Sequence, residues 1–455
     1  MKRTAAGLLV FLFIAASCLI VSLPVKAEPK TITVPDDYPT IQEAINAADQ
    51  KDTIFVKKGT YQEEAININK SISLIGEDIE ETTLSLNPPL IKVTYILNWI
   101  WIPAPAITIN ADEAKLQGFT INLPNDDYGV GNGISAVGNG ISLTQNIVGN
   151  RSVYMSGSKL NITRNLISGT LQVMGSELII VNNTIKDNLK IQGSSNLISA
   201  NKIGSGGYYF SGIYLNGSFN CIVGNSFSSM EIDDCDSNII LGNSFTRLNL
   251  REFGKGGCSN NIISKNRVTG TRGINDGVWL WQGENNIISA NSICNCEYGL
   301  TLGTTSFTAI ANSIYLNNFV NNSKDIVSLS GSDHTVNHFD NGVNGNYYDD
   351  YGGNDSNWDG VGDTPYTVQE TRWEEELQRE VTIVFFQDNY PLMSPSETES
   401  VNIELPDWAD ALLGSSTKPE TPEPFPIALV VAVAVVLAGI GLLVYLKKPG
   451  RSKTQ

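Results

Sequence analysis

The sequence has few of the side chains that bind soft metal ions. Its 455 residues include only two histidines, His334 and His338, with five methionines and six cysteines, all scattered along the chain. Copper is bound by clusters of His, Met or Cys, so the composition argues against a copper site. Cys294 and Cys296 are too isolated from other such residues to predict a zinc site.

Basic residues are also scarce. Lys and Arg number 30 against 47 Asp and Glu, which gives a formal net charge of −17. A surface of this sign repels polyanions, so we expect no nucleic-acid partner. Neutral glycans, cations or basic partners suit it better.

Long apolar runs are confined to the two ends of the chain. Residues 1–27 have a basic start, an apolar stretch and a small-residue cleavage site, which predicts a signal peptide. Residues 426–446 are an uncharged apolar run, long enough at about 1.5 Å per residue to cross a hydrocarbon layer of about 30 Å. The tail, 447–455, is basic, as is typical of a cytoplasmic C-terminus. We therefore predict a single-pass protein whose ectodomain, 28–393, lies on the extracellular face of the cell membrane, joined to the membrane by an extended, Ser-, Thr-, Glu- and Pro-rich stalk, 394–425.

A repeated phrase, N-x-I-x-x-N-x-(I/F/V), is the most specific feature of the ectodomain. Its second Asn recurs every 18 to 26 residues. Each unit is two or three short strands between Gly, Ser and Asn turns, and it buries its apolar face only by stacking on its neighbours. Stacking places the second Asn in an internal ladder of side-chain amides. The ladder residues are Asn183, Asn201, Asn225, Asn243, Asn266, Asn291 and Asn317.

These features predict an all-β fold, a parallel β-helix. The end of such a solenoid is an open strand edge that has to be covered. Thr40 and Glu43 form a possible capping box ahead of an apolar helical face that includes Ile41 and Ile45. We predict a short helix there as the N-terminal cap.

Several motifs resemble a known family. The stretch Val34-Pro-Asp-Asp-Tyr-Pro-Thr-Ile-Gln-Glu-Ala-Ile-Asn and the strand that begins at Phe55 resemble the pectin-lyase-like right-handed β-helices. The repeats, with Gly345-Asn-Tyr-Tyr-Asp-Asp-Tyr and Asp359-Gly-Val-Gly-Asp-Thr-Pro-Tyr, resemble the branch named after NosD, a periplasmic copper-processing protein, which is common among archaeal surface proteins. The resemblance covers about residues 30–393 and implies right-handed winding. It does not assign an activity, because the same scaffold hosts lyases, hydrolases, binders and spacers.

Outward-facing residues of the strand before each Asn phrase predict a binding face. In Ile213-Tyr214-Leu215 and Val278-Trp279-Leu280, one exposed residue stands between two apolar ones, and Trp281 lies on the same side as Trp279. Stacked rungs align such positions in one column: Tyr154, Gln172, Lys190, Tyr214, Glu231 or Asp233, Asn249, Trp279 and Thr301. Aromatic rings beside acids and amides are typical of sugar-binding grooves. The candidate ligand-binding residues for a polysaccharide or cell-envelope glycan are therefore Tyr214, Asn249, Trp279 and Trp281; aromatic side chains that merely cover a loop are the alternative.

Cleavage of a glycosidic bond would require paired carboxylates, or a base beside a cation. Glu231 and Asp233 share one face of a strand, about 6.5 to 7 Å apart at about 3.3 Å per residue, and are the candidate catalytic pair. The Asp-Asp and Gly-His-Gly pattern of β-helical polygalacturonases and the arginine-centred motif of pectate lyases are both absent from the sequence. The leading prediction is therefore a non-catalytic glycan binder. A polysaccharide lyase or glycosidase is one alternative, and a structural spacer of the envelope is another.

Two further sites follow from spacing. Oxygen ligands recur at every second position with Gly360 at the sixth, a spacing that suits calcium and would staple the C-terminal cap, 349–393. The ligands would be Asp355, Asn357, Asp359, the main-chain carbonyl of Val361, and Asp363. Tyr366 occupies the twelfth position where a Glu is usual, so Asp349 or Asp350 would have to substitute for it, and a plain Asp-Gly turn is the alternative.

Cysteine spacing predicts one disulfide. Cys235 and Cys258 each precede the first Asn of their phrase by three residues. They should therefore stack on adjacent rungs with Cα atoms about 5 Å apart, within disulfide range. The predicted exported location permits the bond.

Overall fold

The computed structural model describes residues 28–95, 98–124, 131–204, 212–251, 257–273, 276–329, 337–374 and 379–417. The predicted signal peptide, 1–27, the predicted transmembrane helix, 426–446, and the basic tail, 447–455, lie outside these residues. No helix within the described ranges is long and apolar enough to cross a membrane. The described residues up to Glu404 belong to one compact unit, and a helix at Asp407–Thr417 belongs to a second.

Short parallel strands build three long faces of a β-helix, as the repeat predicts, and stacked parallel sheets are consistent with the right-handed winding that the resemblance implies. Sheet 1 comprises Thr31–Val34, Thr53–Val56, Ser73–Gly76, Lys115–Gln117, Ser142–Thr144, Asn161–Thr163, Ile179–Val181, Leu197–Ser199, Cys221–Val223, Ile239–Leu241, Ile262–Ser264, Ile287–Ser289 and Ser313–Tyr315. Sheet 2 comprises Ile66–Ile68, Ile107–Asn110, Asn132–Val137, Ser152–Ser156, Leu171–Met174, Leu189–Gln192, Gly212–Asn216, Ser229–Asp233, Arg247–Arg251, Val278–Leu280, Tyr298–Leu302 and Lys324–Ser328.

The third face has two halves, joined by single bridges at Ser226. The N-terminal half of sheet 3 comprises Gly59–Glu63, Thr82–Leu86, Thr120–Asn122, Ile147–Val148, Leu166–Ile167, Thr184–Ile185 and Lys202–Ile203. The C-terminal half comprises Ser244–Phe245, Arg267–Thr269, Ser292–Cys294, Asn318–Val320 and Tyr347–Tyr348. A small parallel pair, Gly283–Glu284 and Ala309–Ile310, completes the rungs.

The core is a continuous column of aliphatic side chains inside the solenoid. In the strand Leu189–Gln192, Leu189 and Ile191 are buried while Lys190 and Gln192 are exposed, and the same alternation recurs from rung to rung. Each fully buried Leu or Ile contributes about 1.5 to 3 kcal/mol relative to an exposed one. An isolated rung would lack most of this stabilisation, because the rungs on either side cover part of its apolar surface.

The predicted Asn ladder is present, and it is longer than the sequence indicates. Asn243, for example, accepts a hydrogen bond from the main-chain N–H of Asn225 at 2.9 Å and donates to Oδ1 of Asn266 at 3.1 Å. Equivalent bonds run from Asn146 to Asn346. The first Asn of the phrase, which was not expected to take part, forms a second ladder. Its members are Asn196, Asn220, Asn238, Asn261, Asn286, Asn312 and Asn337.

The turn before each ladder Asn explains why an amide is required. The preceding residue has a left-handed conformation, with φ of +57° at Asn182, +54° at Ala200 and +63° at Gly242. The turn directs the main-chain N–H of the next residue along the solenoid axis, where the amide oxygen of the following rung accepts it. Without that oxygen a buried N–H would have no acceptor, a costly arrangement.

The N-terminal cap is the helix α1, Ile41–Ala47. Thr40 is its N-cap, with Oγ1 accepting from the N–H of Glu43 at 3.2 Å. The remaining helix N–H groups are met by Glu63, whose carboxylate accepts from Ile41 at 2.7 Å and from Gln42 at 3.2 Å. Burial raises the pKa of Glu63, and these two bonds oppose the rise.

Two antiparallel hairpins interrupt the solenoid. Leu90–Tyr95 pairs with Asn98–Pro103. Tyr366–Glu374 pairs with Arg379–Asp388, and this second hairpin is an insertion within the predicted C-terminal cap, 349–393.

The C-terminal end of the ladder is an aspartate. Oδ2 of Asp388 accepts from the N–H of Asn346 at 2.7 Å and from the hydroxyl of Tyr348 at 3.2 Å. Oδ1 accepts from the N–H of Tyr390 at 3.0 Å. Donors meet both oxygens of Asp388, whereas an amide at this position would turn its own NH2 group toward one of these donors. The amide is used on the rungs from Asn146 to Asn346.

The first residues of the predicted stalk, 394–425, lie against the β-helix. Ser396 donates to Oδ1 of Asn318 at 2.7 Å and accepts from its Nδ2 at 2.9 Å. Lys265 donates to the carbonyl of Glu399 at 3.0 Å. On the stalk side, main-chain groups of Ser396 and Glu399 make all three of these contacts. The helix α2, Asp407–Thr417, follows in the second unit.

Candidate functional site

The strand register predicted for the column on sheet 2 is present, but two members predicted to be exposed, Asn249 and Thr301, are buried. Tyr154, Gln172, Lys190 and Tyr214 occupy equivalent positions on consecutive strands. Glu231, Asn249, Trp279 and Thr301 continue the column in the same register. Asp233 lies two residues after Glu231 on the same face, and Arg251 occupies the position opposite Asp233 on the next strand.

Arg251 is the centre of this face, although the sequence analysis did not select it. Its Nη2 lies 2.6 Å from Oε2 of Glu231, and its Nε lies 3.1 Å from Oδ1 of Asp233. All three side chains are largely buried, with 16% exposure for Arg251 and 12% for each acid. Two charge-assisted bonds in one fork orient the guanidinium and both carboxylates together. The signal for Arg251 was its spacing, because it follows Asn249 by two residues as Asp233 follows Glu231.

Tyr214 extends the network to the next rung. Its hydroxyl donates to Oδ2 of Asp233 at 2.7 Å, while its side chain stays 38% exposed. The hydrogen bond to Asp233 and then burial raise the pKa of Tyr214 to about 12. The phenol therefore remains a neutral donor, with an exposed aromatic surface, at any physiological pH.

These side chains line a groove with a cavity of about 500 Å³. Lys190 stands at one end, Tyr214 in the middle, and the Glu231–Asp233–Arg251 fork at the other end. The volume falls within the range of about 300–1,000 Å³ typical of ligand pockets. The four charged groups balance one another, so the groove is locally neutral on a strongly acidic chain.

The tryptophan pair lies on the rung beyond Arg251. The rings of Trp279 and Trp281 are 5.0 Å apart between centroids and tilted by 39°, and both side chains are partly exposed. Nε1 of Trp279 donates to the carbonyl of Gly303 at 3.0 Å, which fixes the ring. Asn249 is 2% exposed and accepts from Nε of Arg247 at 3.1 Å, so it forms part of the floor of the face.

A second cavity of about 580 Å³, which the sequence analysis missed, lies beside the strand Lys324–Ser328. Asp325, Asp349, Asp350 and Tyr366 contribute to its lining. Burial, together with the nearby charges of Asp350 and Asp349, raises the pKa of Asp325 to about 6, although a hydrogen bond from Asn322 opposes the rise. No repeat marks this cavity, because its walls come from a solenoid turn and the inserted hairpin.

The predicted calcium loop folds as a set of tight polar turns. Asp355 accepts from the N–H of Gly360 at 2.9 Å, and Asp359 accepts from the N–H of Val361 at 2.9 Å. Oδ2 of Asp363 accepts from the N–H of Ser356 at 2.8 Å; hydrogen bonding to Ser356 lowers the pKa of Asp363. Nδ2 of Asn357 donates to Asp359 at 2.9 Å. The side-chain oxygens thus bond the loop itself, and calcium binding stays a prediction.

Cys235 and Cys258 are joined by a disulfide between adjacent rungs, with Cα atoms 4.7 Å apart. The rungs bring the two residues together in space although they are 23 apart in sequence.

Ligands suited to copper do not cluster in the described ranges. Burial raises the pKa of the Cys221 and Cys296 thiols to about 12, and Met155 and Met230 are enclosed in the core. Nowhere in these ranges are three or more His, Cys, Asp or Glu side chains grouped to hold a metal. The donor set therefore does not fit copper, and we assign no copper chemistry to it.

Comparison with known proteins agrees with the repeat. Residues 232–353 match the family model described as "Periplasmic copper-binding protein (NosD)", which confirms the predicted resemblance over that segment. No curated protein matches the chain.

Solved structures with low sequence identity also match. The catalytic domain of GH87 alpha-1,3-glucanase in complex with nigerose is 14% identical over 70% of this chain and 71% of that chain, with a TM-score of 0.48. A PL6 alginate lyase complex with trisaccharide is 11% identical over 67% and 86%, with a TM-score of 0.46. The Azotobacter vinelandii mannuronan C-5 epimerase AlgE6 A-module is 11% identical over 64% and 94%, with a TM-score of 0.33. Likenesses this distant do not bear on activity.

Proposed function

We propose that this protein is held on the extracellular face of the cell membrane by a single span at 426–446, and that its β-helix binds a polysaccharide or cell-envelope glycan without cleaving it. The observation that carries the proposal is the groove of sheet 2. It joins an exposed phenol, a lysine and an ion-paired fork in one cavity.

The chemistry of the groove suits sugar hydroxyls. The Tyr214 ring offers an apolar surface for the C–H face of a sugar, while the fork and Lys190 offer donors and acceptors for hydroxyl groups. Because the fork is already ion-paired, its side chains are held in place before a ligand arrives, which lowers the entropic cost of binding.

The same fork argues against catalysis at Glu231 and Asp233. Acid-assisted cleavage needs one protonated carboxyl as proton donor and a second carboxylate as base or nucleophile. Here both carboxylates accept from one guanidinium and act together as acceptors.

Cleavage remains a second candidate function because of Asp325. A carboxyl with a pKa of about 6, in a cavity of about 580 Å³ that two further aspartates also line, has the character of a general acid. If the protein cleaves glycans, the second cavity is where we place the reaction.

The test exposes the purified full-length protein to a panel of immobilised polysaccharides and measures both retention and new reducing or unsaturated ends. Retention without new ends is expected. Tyr214→Ala should weaken retention by about tenfold, the effect of losing roughly one aromatic contact. Tyr154→Ala is the matched control, since Tyr154 lies in the same column outside the cavity.

Three results would change the conclusion. New ends that disappear in Asp325→Asn would establish the hydrolase or lyase. Equal loss in the Tyr214 and Tyr154 variants would remove the groove as the binding site. No retention of any polysaccharide would leave the envelope spacer.

A further inference from the structure

We propose that the groove takes an extended polysaccharide chain lying along the solenoid axis, across five consecutive rungs from Lys190 to the tryptophan pair. This inference rests on the proposed function and specifies its ligand: a linear, neutral or weakly charged polymer rather than a free mono- or disaccharide.

The strand register of sheet 2 indicates the direction in which the polysaccharide would lie. Lys190, Tyr214, Glu231, Asn249 and Trp279 occupy one column on five successive hydrogen-bonded strands. At about 4.8 Å per rung, the column from Lys190 to Trp279 is about 19 Å long. Tyr214 and Trp279 are three rungs apart, about 14 Å, so one sugar ring cannot contact both.

The tryptophan pair lies next to the groove, because the strand of Trp279 pairs with the strand that carries Arg251. Arg251 lines the cavity, and Trp281 follows Leu280, the residue opposite Leu250 on the next strand. The main-chain N–H of Trp281 donates to the carbonyl of Leu250 at 3.0 Å. Trp281 therefore stands one rung from Arg251, and the aromatic pair begins where the cavity ends.

Aromatic and charged side chains alternate along the column from Tyr214 to the tryptophan pair. An exposed phenol at Tyr214 is followed by the ionic row of Glu231 and Arg251, and then by the rings of Trp279 and Trp281. An extended glycan also alternates, presenting C–H faces on its rings and hydroxyl groups at their edges. Aromatic surfaces would hold the rings while the ionic row binds hydroxyls between them.

Local charge favours a neutral polymer. Glu231 and Asp233 are matched by Arg251 and Lys190 within the groove. The rest of the protein carries a net charge of −17 and would repel a densely anionic chain.

The experiment measures affinity against ligand length. Whichever polysaccharide of the panel the full-length protein retains is cut to a size series from disaccharide to octasaccharide, and each oligomer is titrated. We expect the Kd to tighten by at least about tenfold from the disaccharide to the longest oligomers and then level off, since one added aromatic contact corresponds to about a tenfold change.

A double variant, Trp279→Ala with Trp281→Ala, tests the far end. It should lose about tenfold affinity for the octasaccharide and none for the disaccharide, which sits in the cavity. Tyr315→Ala serves as the control, with no change at any length, because Tyr315 lies on sheet 1 and not on the column.

Failure of this inference differs from failure of the proposed function. Equal affinity for the disaccharide and octasaccharide in the unaltered protein would overturn the extended mode and leave a small sugar pocket; that measurement needs no variant to fold. Equal loss at every length in the tryptophan variant would overturn it as well. Absence of binding to every polysaccharide would overturn both proposals.

Discussion

Replacing Asn243 by Ala tests the interaction that links one rung to the next. The Asn243 side chain is 1% exposed and bonds to both neighbouring rungs. It accepts from the main-chain N–H and from Nδ2 of Asn225, at 2.9 and 3.0 Å. It donates to the carbonyl of Ile222 at 2.8 Å and to Oδ1 of Asn266 at 3.1 Å.

The cost of the substitution follows from the groups left without a partner. The buried N–H of Asn225 loses its acceptor, and an orphaned buried group costs about 1 to 3 kcal/mol. The other lost bonds contribute about 1 kcal/mol each. We therefore expect a loss of roughly 4 to 6 kcal/mol in the free energy of unfolding. The rungs around Asn243 should open first, because each rung contacts only its neighbours.

Hydrogen exchange and thermal unfolding together provide the assay. The amide of Asn225 should be strongly protected in the unaltered protein and exchange much faster in the variant, and the Tm should fall. Asn216→Ala is the matched control, because the side chain of Asn216 makes only an exposed contact with Asp234 and its loss should change the Tm little. A protected Asn225 amide and an unchanged Tm in Asn243→Ala would show that the ladder does not hold the rungs together.

Three further predictions concern the disulfide, the Asp-rich loop and the end of the ladder. Replacing Cys235 and Cys258 by Ser opens a link across 23 residues and should cost about 3 kcal/mol of stability, measured by denaturant unfolding with and without reductant; an unchanged midpoint would contradict it. If the loop binds calcium, the protein should be about 2.7 kcal/mol less stable, with a lower Tm, after chelation than at a calcium concentration about a hundredfold above the Kd. The difference in Tm should vanish in the double variant Asp355→Asn with Asp359→Asn. An unaltered protein whose Tm does not change on chelation would contradict calcium binding. Burial raises the pKa of Asp388 to about 6, above the value of about 3.9 in an unfolded chain, so the stability due to its proton is complete below about pH 4 and is lost as the pH rises through about 6. The Asp388→Asn variant should lack that part of the pH dependence of the Tm. Identical profiles of Tm against pH in the variant and the unaltered protein would contradict this role of Asp388.

Much of the candidate face could be predicted because the repeat converts sequence position into a place on the solenoid. The exposed residue between two apolar ones in each strand had to point outward. Because similar phrases recur along the chain, stacking them had to align Tyr214, Glu231 and Trp279. Arg251 was missed because the same rule was applied to one column only. Its neighbouring column, Asp233 to Arg251, follows from the same register.

Other features were beyond that rule. Asn249 occupies its predicted position, yet it is 2% exposed and its Oδ1 accepts a hydrogen bond from Nε of Arg247. The pKa of Asp325 is raised first by burial and then by the charges of Asp350 and Asp349, more than twenty residues away in the sequence. The spacing of residues in the sequence predicts neither contact.

The sequence by itself determined that the repeat region is a stacked parallel β-helix with an internal amide ladder, because a unit of this length buries its apolar side chains and turn amides only against copies of itself. The tertiary structure decided which outward side chains form a site. Long polar side chains such as Arg251 have many rotamers, and only their neighbours on adjacent rungs select the one that ties Glu231 and Asp233 together. It also decided how the solenoid ends, since Asp388 completes the ladder only where the inserted hairpin returns to the core.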